Sequence, residues 1–526
     1  MTRSLLHLIL VCLLPALFTV ACGNNDSSDG NGSDGDSDGD GDSDGDSDGD
    51  SDGDTDGDSD SESEEDTGTL SDSDPDISLA GLLTPFDADE EDLVYHGSWS
   101  TRYGKIPEIV VSERNSELDV LAQDYSTNES NFVLLHIKAG NGGFQITQAL
   151  TDIPKLDRIM GVSSDESGNR YYATCVDEAD EINATYPGLN EYRSDIVRLI
   201  KLNASGDVLF NLDLDIERHA VDANAQKLIN PMVASSARVL YGGGTVALVH
   251  ARNGDPDANI DNQRHQLIAQ TFVNAENGTI TGTDSIWCSH SFDQRLLYDG
   301  NEILENYLGD AYPRQVVFSR GGNDHSIIDI KGETGNNTTW TQLGNMAIIE
   351  NDPTYGYLAL NATETTTATD ADINGSMNLA LTRISSSNNT PDTSYDAQSF
   401  GSVTNYMRWL TSYDDSSHLH AQRPKLVAIG NDTYIVLWEQ WLIEEAGSGW
   451  ETYSGDFQGV YGMVIDAEGN ALVEATLITD SHHLHRGDDA FSLAGSAAWM
   501  TGSAANQELY IHTVDSNLNY TMHTID

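Results

Sequence analysis

The sequence predicts an all-β domain built from about seven repeated units of four strands each, and three observations predict it. From Ile77 onward no long stretch carries a 3.6-residue apolar period. Short β-branched and aromatic runs take its place, separated by turns of Gly, Asn and Asp. One His-led segment then recurs at nearly even spacing.

The strand runs are clearest at Phe132-Val133-Leu134-Leu135-His136-Ile137, Val246-Ala247-Leu248-Val249-His250 and Tyr434-Ile435-Val436-Leu437-Trp438. The turns share a form in which an acidic or amide residue leads to Gly and then Asn or Asp. Asp165 to Asn169, Asn203 to Asp207 and Asp466 to Asn470 are three cases, each between two strand-like runs, as hairpin turns should be.

The recurrence sets the unit length. His418-Leu419-His420 returns as His483-Leu484-His485, an offset of 65, and Gly430 and Gly495 keep that offset. Ser289-His290-Ser291-Phe292-Asp293-Gln294-Arg295 aligns with Ser417-His418-Leu419-His420-Ala421-Gln422-Arg423, an offset of 128. Units of ~64 residues divide the 450 residues from Ile77 to Asp526 into about seven. In this the chain resembles β-propellers in general. Tandem β-sandwiches account for the strands but not for the even recurrence. Propellers often close by sharing a strand between the termini, and Tyr520 to Ile525 is the expected partner of a strand near Leu93 to Trp99.

The first residues read differently. Arg3 precedes an apolar run from Leu5 to Val20, shorter than the ~20 residues needed to span a bilayer. It reads as a secretory leader. Thr19-Val20-Ala21-Cys22 resembles the lipobox of bacterial lipoproteins, with Thr19 where that family usually carries an aliphatic residue. The resemblance implies cleavage before Cys22 and lipidation of its thiol. Gly23, not Asp, follows the Cys, which by the sorting rule of such lipoproteins implies the bacterial outer membrane. The expected organisation is a signal peptide over 1–21, a lipidated tether over 22–76 and the repeat domain over 77–526.

Asn24 to Asp76 holds 23 acidic residues and no Lys or Arg. Gly30 to Asp60 repeats Ser-Asp-Gly-Asp, with no large apolar side chain to bury, so it is expected to stay disordered and extended. Asp36, Asp38, Asp40 and Gly41 match the opening of an EF-hand loop, but Ser47 stands where that loop needs Glu. A spacer is the favoured reading, with weak, diffuse calcium association the alternative.

The chain carries 86 acidic and 25 basic residues, a net charge of −61. Such a surface repels nucleic acid and anionic headgroups, so both are poor partners, and no nucleic acid is expected. It suits salty surroundings, and equally a merely acidic exported protein. Outside the leader and the lipidation site, the cysteines are Cys175 and Cys288. Export permits a disulfide between them, and their spacing does not decide it.

Candidate chemistry gathers on the repeated segment. In a strand, residues i and i+2 share a face, so His418 pairs with His420 and His483 with His485. Arg295 and Arg423 follow five residues after His290 and His418, while Asp488 holds that place after His483, with Arg486 nearby. One reading is framework, polar residues that hold blade starts together. Another is a ligand site of His290, Arg295, Arg314, His418, His420, Arg423, His483, His485 and Arg486, in which guanidinium groups pair with the carboxylate or sulfate of an acidic sugar. A third adds Asp414, Asp415, Asp488 and Asp489 as metal ligands, but Arg486 opposes a cation, and no metal or other cofactor is assigned. Tyr312 and Arg314, beside Pro313, would serve a polysaccharide lyase as base and carboxylate clamp, or simply form a turn. Trp438 is expected in the core. Trp441 and Trp450 are the candidates for stacking sugars at the surface, with packing between blades as the alternative.

The function expected from these features is an envelope-anchored surface lipoprotein whose propeller binds a glycan or an extracellular protein through one face. The alternative is a carbohydrate-active enzyme, a lyase or hydrolase, acting on acidic polysaccharide.

Overall fold

Tight polar turns and short apolar runs dictate an antiparallel meander, and the protein repeats that meander seven times. The structure, a computed structural model, describes residues 77–85, 93–94, 109–124, 131–140, 143–175, 197–214, 237–253, 266–287, 293–309, 314–330, 341–364, 375–400, 403–443, 453–485 and 487–526. These lie in one compact unit, Thr69–Asp526. The leader, Cys22 and the acidic tract lie outside the described residues.

Seven four-stranded antiparallel sheets form the blades of a β-propeller. Their first strands are Ile109–Arg114, Arg158–Ser164, Arg238–Gly242, Gln294–Tyr298, Gln342–Ile348, Leu419–Ala428 and Phe491–Leu493, in blades 1 to 7. Each first strand touches that of the next blade, and Ile109–Arg114 meets Phe491–Leu493 to close the ring. The starts run from 109 to 491 in six steps, a mean near 64, while single steps range from 48 to 80. The expected period is therefore an average. Blade 5 carries an inserted hairpin, Ala397–Phe400 with Val403–Tyr406, before its last strand, Arg408–Trp409.

The predicted turns form as hairpins. Asp165 Oδ1 accepts the backbone N–H groups of Ser167 and Asn169, both at 2.9 Å, and Gly168 takes the left-handed φ of +78° that closes the turn. Asn203 and Asp466 cap their turns in the same way, as does Asp515. In such a meander the first and third turns of every blade emerge on one face of the ring. The second turns and the connections between blades emerge on the other. The long spacings fall there, from Cys175 to Val197 and from Leu214 to Arg238.

Strands buried on both sides explain the continuous apolar runs, because each blade packs against two neighbours. Apolar clusters fill the interfaces between blades 1 and 2, 2 and 3, 4 and 5, 5 and 6, 6 and 7, and 7 and 1. Among the described residues, blades 3 and 4 share no such cluster.

Ring closure departs from expectation. Tyr520–Ile525 pairs with Glu508–Val514 as the outer strand of blade 7, while Leu93–Val94 pairs with Tyr453–Ser454. Blade 7 has four consecutive strands of its own, so no strand need be borrowed. Packing closes the ring instead. Leu79 and Leu83, 0% and 2% exposed, insert into the apolar cluster between blades 7 and 1, and Ile77 N–H bonds the Ile146 carbonyl at 3.0 Å. Each buried leucine contributes roughly 1.5–3 kcal/mol.

Candidate functional site

The repeated segment enters two blades in the same way. Gln294-Arg295 and Gln422-Arg423 both lie in the first strand, of blades 4 and 6. Gly430 and Gly495 both occupy the first hairpin turn of their blades, with φ of +96° and +77°. The two histidine pairs do not share strand faces. His418 sits just outside the strand, exposed and left-handed at φ +55°, ending the short 3-10 turn Asp415–Ser417. His483 and His485 lie in the connection ahead of Phe491–Leu493. Ordinary strand alternation therefore applies to neither pair.

Most of these side chains are buried and engaged within the protein. His420 is 5% exposed, and its Nδ1 receives the Met377 N–H from blade 5 at 3.3 Å. Burial, with a contribution from His418, pushes its pKa down to about 4, so the ring is neutral. Arg423 donates to Glu439 Oε1 at 3.1 Å and to the Leu484 carbonyl at 3.3 Å. Glu439 is fully buried and also accepts the Leu484 N–H at 2.8 Å and the Trp441 indole at 2.8 Å, with His483 Nδ1 at 3.3 Å. Burial opposes the Glu439 charge, but Arg423, His483 and Trp441 outweigh it and hold the carboxyl below its ordinary range. Trp441 takes the packing alternative rather than the surface one: it is 1% exposed and stacks on His483 with centroids 5.7 Å apart. Its indole N–H is needed by Glu439, which explains its burial. Trp438 is in the core as expected. His485 Nδ1 accepts the Asp488 N–H at 2.8 Å.

Arg295 belongs to a different group, at the central channel. Arg238 from blade 3 grips Asp489 of blade 7 with two donors, at 3.2 and 3.1 Å, and Arg295 Nε lies 2.9 Å from the same carboxylate. Arg295 also pairs with Asp293 and donates to the Leu343 carbonyl of blade 5 at 3.0 Å. Lys425 of blade 6 donates to the Asp488 carbonyl, and Asp488 Oδ2 accepts the Val111 N–H of blade 1 at 2.9 Å. Three cations and three carboxylates thus tie together first strands and connections from six blades. Burial disfavours charge on Asp489, yet Arg238, Arg295 and Lys425 hold its carboxyl far below the usual range. Asp488 moves the other way, pushed up to about 6 chiefly by burial. Burial likewise pulls Lys425 down to about 8.

Beside this group the first strands of all seven blades line one cavity of about 540 Å³. Its walls include Ser112, Glu113, Ser163, Tyr241 and Asn345. Among the described residues no group of three or more His, Cys, Asp or Glu is placed to hold a metal. Asp414 and Asp415 instead cap backbone, on Ser416 and Ser376. Arg314 is described only as the first residue of the third strand of blade 4. His290, Arg486, Tyr312, Trp450 and Cys288 lie outside the described residues, and Cys175 is buried at a strand end in blade 2.

Sequence reasoning missed Arg238, Lys425 and Glu439. Lys425 carried a signal, as one of only seven lysines and two residues beyond Arg423. Glu439 carried a weaker one, a lone carboxylate inside the run Tyr434 to Leu442.

No family model and no curated protein matches the sequence. Solved structures that align include parainfluenza virus 5 hemagglutinin-neuraminidase with the ligand DANA, at 10% identity over 72% of this chain and 95% of that one, TM-score 0.34. Pyrococcus horikoshii acylaminoacyl peptidase aligns at 7% identity over 81% of this chain and 54% of that one, TM-score 0.38. Trypanosoma rangeli sialidase in complex with 2,3-difluorosialic acid aligns at 10% identity over 75% of this chain and 59% of that one, TM-score 0.35. Likeness at this level carries no argument about activity. The strand pairing itself defines the class, a seven-bladed β-propeller with a cavity at its central channel.

Proposed function

We propose that the protein is a lipid-anchored lipoprotein of the bacterial outer membrane whose propeller is a binding module for an extracellular ligand, a glycan or a protein. The observation that carries this reading is the channel cavity. About 540 Å³ falls in the range of ligand pockets, and its wall is shared by all seven blades rather than belonging to one. Serines, an amide and a tyrosine offer hydrogen bonds there. The neighbouring charges are matched within the protein, so a ligand need not supply a counter-charge. The Cys22 segment and the acidic tract support a surface anchor and a spacer.

One experiment with two arms tests it. Cys22→Ser should move the protein from membrane to soluble fractions with loss of lipid label, because acyl anchoring rests on ~0.8 kcal/mol per buried CH₂. Retention in the membrane with label intact refutes the anchor. In the other arm, Ala428→Trp, at an exposed cavity-lining position, should abolish binding to a panel of polysaccharides and envelope proteins without lowering the melting temperature. Unchanged binding refutes the channel as the site, and turnover of a polysaccharide replaces the binding module with an enzyme.

A further inference from the structure

The channel cavity differs between its two ends. Arg238, Asp488 and Asp489 line it where the first strands begin, and there Asp489 takes Arg238 at 3.1 Å and Arg295 at 2.9 Å. Those charges are matched within the protein. The other end opens on the face where the first turns emerge. Glu113, beside the first turn of blade 1, and Glu350, in that of blade 5, bound the cavity there. Among the described residues that line it, Arg238 is the only Lys, Arg or His, and it lies at the matched end.

The open end favours a cation. Glu113 Oε1 accepts the Ser116 N–H at 2.7 Å, and Arg114, the neighbouring cation, reaches Glu117 at 3.4 Å. Burial raises the Glu113 pKa against the pull of Ser116 and Arg114. A carboxylate short of solvation gains from an arriving positive charge. Glu350 stands exposed at the rim. The Tyr241 hydroxyl, on the same wall, is raised by burial and then by Glu166 and Asp165 of the blade 2 turn, so this mouth is electronegative. The net charge of −61 draws basic partners toward it.

Between the ends the wall is largely apolar. Val111, Leu240, Leu296, Ile348 and Phe491 are half-buried and Ala428 is exposed, each from a different blade. The polar groups among them serve the ring. Ser112 Oγ accepts the Ser164 N–H at 2.9 Å, Ser163 Oγ the Tyr241 N–H at 2.9 Å, and Asn345 Oδ1 the Leu426 N–H at 3.4 Å. Each of these bonds joins two neighbouring blades, so each side chain spends an acceptor on the scaffold. The many hydroxyls of a glycan would go largely unanswered along such a wall, at a desolvation cost. Aliphatic side chains would be transferred from water at a gain.

We propose that the channel takes the end of an extended peptide, with aliphatic side chains along the wall and a lysine or arginine at the rim against Glu113 and Glu350. The inference rests on the channel reading and chooses its ligand, a basic apolar protein segment in place of a glycan. It also reverses the charge of the acidic sugar expected from the His/Arg repeat.

Titration calorimetry on the full-length protein in nanodiscs, which keep free detergent out of the channel, tests it. The probe is the blocked peptide acetyl-Leu-Val-Leu-Lys-amide, beside analogues with Gln or Glu in place of the Lys, a Ser-Ser-Ser-Lys analogue and maltohexaose. The Lys peptide should bind. The Gln analogue should bind about threefold more weakly and the Glu analogue about tenfold or more. The Ser analogue and maltohexaose should not bind. Joint Glu113→Gln and Glu350→Gln should bring the Lys and Gln peptides to equal affinity, a result that lost folding cannot give, because the Gln peptide must still bind. Silence from the Lys peptide overturns the inference, as does equal binding of the Lys and Glu peptides, or of maltohexaose alone. If a ligand from the polysaccharide and envelope-protein panel is still blocked by Ala428→Trp, the channel reading survives that loss. Lys-peptide binding that persists in Ala428→Trp sinks both.

Discussion

Arg295 and Arg423 hold the same place in a segment repeated 128 residues apart, yet they end in different clusters. Arg295 reaches across the channel to Asp489 of blade 7, whereas Arg423 turns back to Glu439 of its own blade. The difference lies in one residue of register. The first strand of blade 4 pairs with its neighbour without interruption from Gln294 to Tyr298. In blade 6 the pairing jumps from Gln422–Glu439 to Lys425–Leu437, and Arg423 takes a left-handed φ of +52° within that bulge. An inserted residue turns the following side chains to the other face. Lys425 thereby arrives at the channel cluster in blade 6, where Arg295 stands in blade 4. A repeat in sequence thus places a residue in its blade, and the local register chooses its partner.

The widest gap between the two clusters should appear when each loses its anchor. Asp489→Ala leaves Arg238, Arg295 and Lys425 short of a shared carboxylate. Breaking a buried pair costs about 3–5 kcal/mol, and with three cations affected the upper end is expected. A denaturant melt of the full chain checks it, and a loss under 1 kcal/mol would show that the channel cluster does not hold the ring.

Arg423→Ala should cost less, about 3 kcal/mol, because Glu439 keeps the Leu484 N–H, the Trp441 indole and His483. Comparison with Arg423→Gly isolates the bulge. Glycine relieves the positive φ, so Arg423→Gly should be about 1 kcal/mol more stable than Arg423→Ala although both lack the ion pair. Equal melts would mean that the backbone there is unstrained.

A pH-dependent effect concerns a histidine that blade 6 buries ahead of its bulge. The pKa of His420 lies at about 4 in the fold, below its ordinary value of 6.5, so the unfolded chain takes up the proton first. Its stability contribution is complete above pH ~6.5 and is lost as pH falls toward 4, reaching about 2 kcal/mol at pH 5. Asp488, raised to about 6, acts in the opposite sense over the same range. The contrast between parent and His420→Asn therefore carries the test, since Asn keeps an acceptor for the Met377 N–H but cannot titrate. Parallel melting-temperature curves from pH 7 to 5 would rule the histidine out.

Strands, turns and unit number were legible in the sequence because they depend on local chemistry. Alternation between apolar runs and Asp-x-x-Gly-Asn turns is visible in one dimension, and Asp165, Asn203 and Asp466 cap the turns their spacing announces. The candidate residues were legible only as types. Arg423 was visible, but Glu439, 16 residues away and paired across a strand, was not. The choice between surface and packing for Trp441 was open in the sequence for the same reason, because its indole meets a carboxylate that only the fold brings to it.

By itself the sequence determined an all-β repeat of about seven units, since periodicity and turn chemistry are properties of neighbouring residues. Tertiary structure alone decided how the ring closes and which cations meet which carboxylates. Closure by Leu79 and Leu83 joins segments hundreds of residues from the blade 7 strands they pack against. The Arg238–Asp489 pair spans 251 residues. Such pairings follow from register and blade order, which no local pattern encodes.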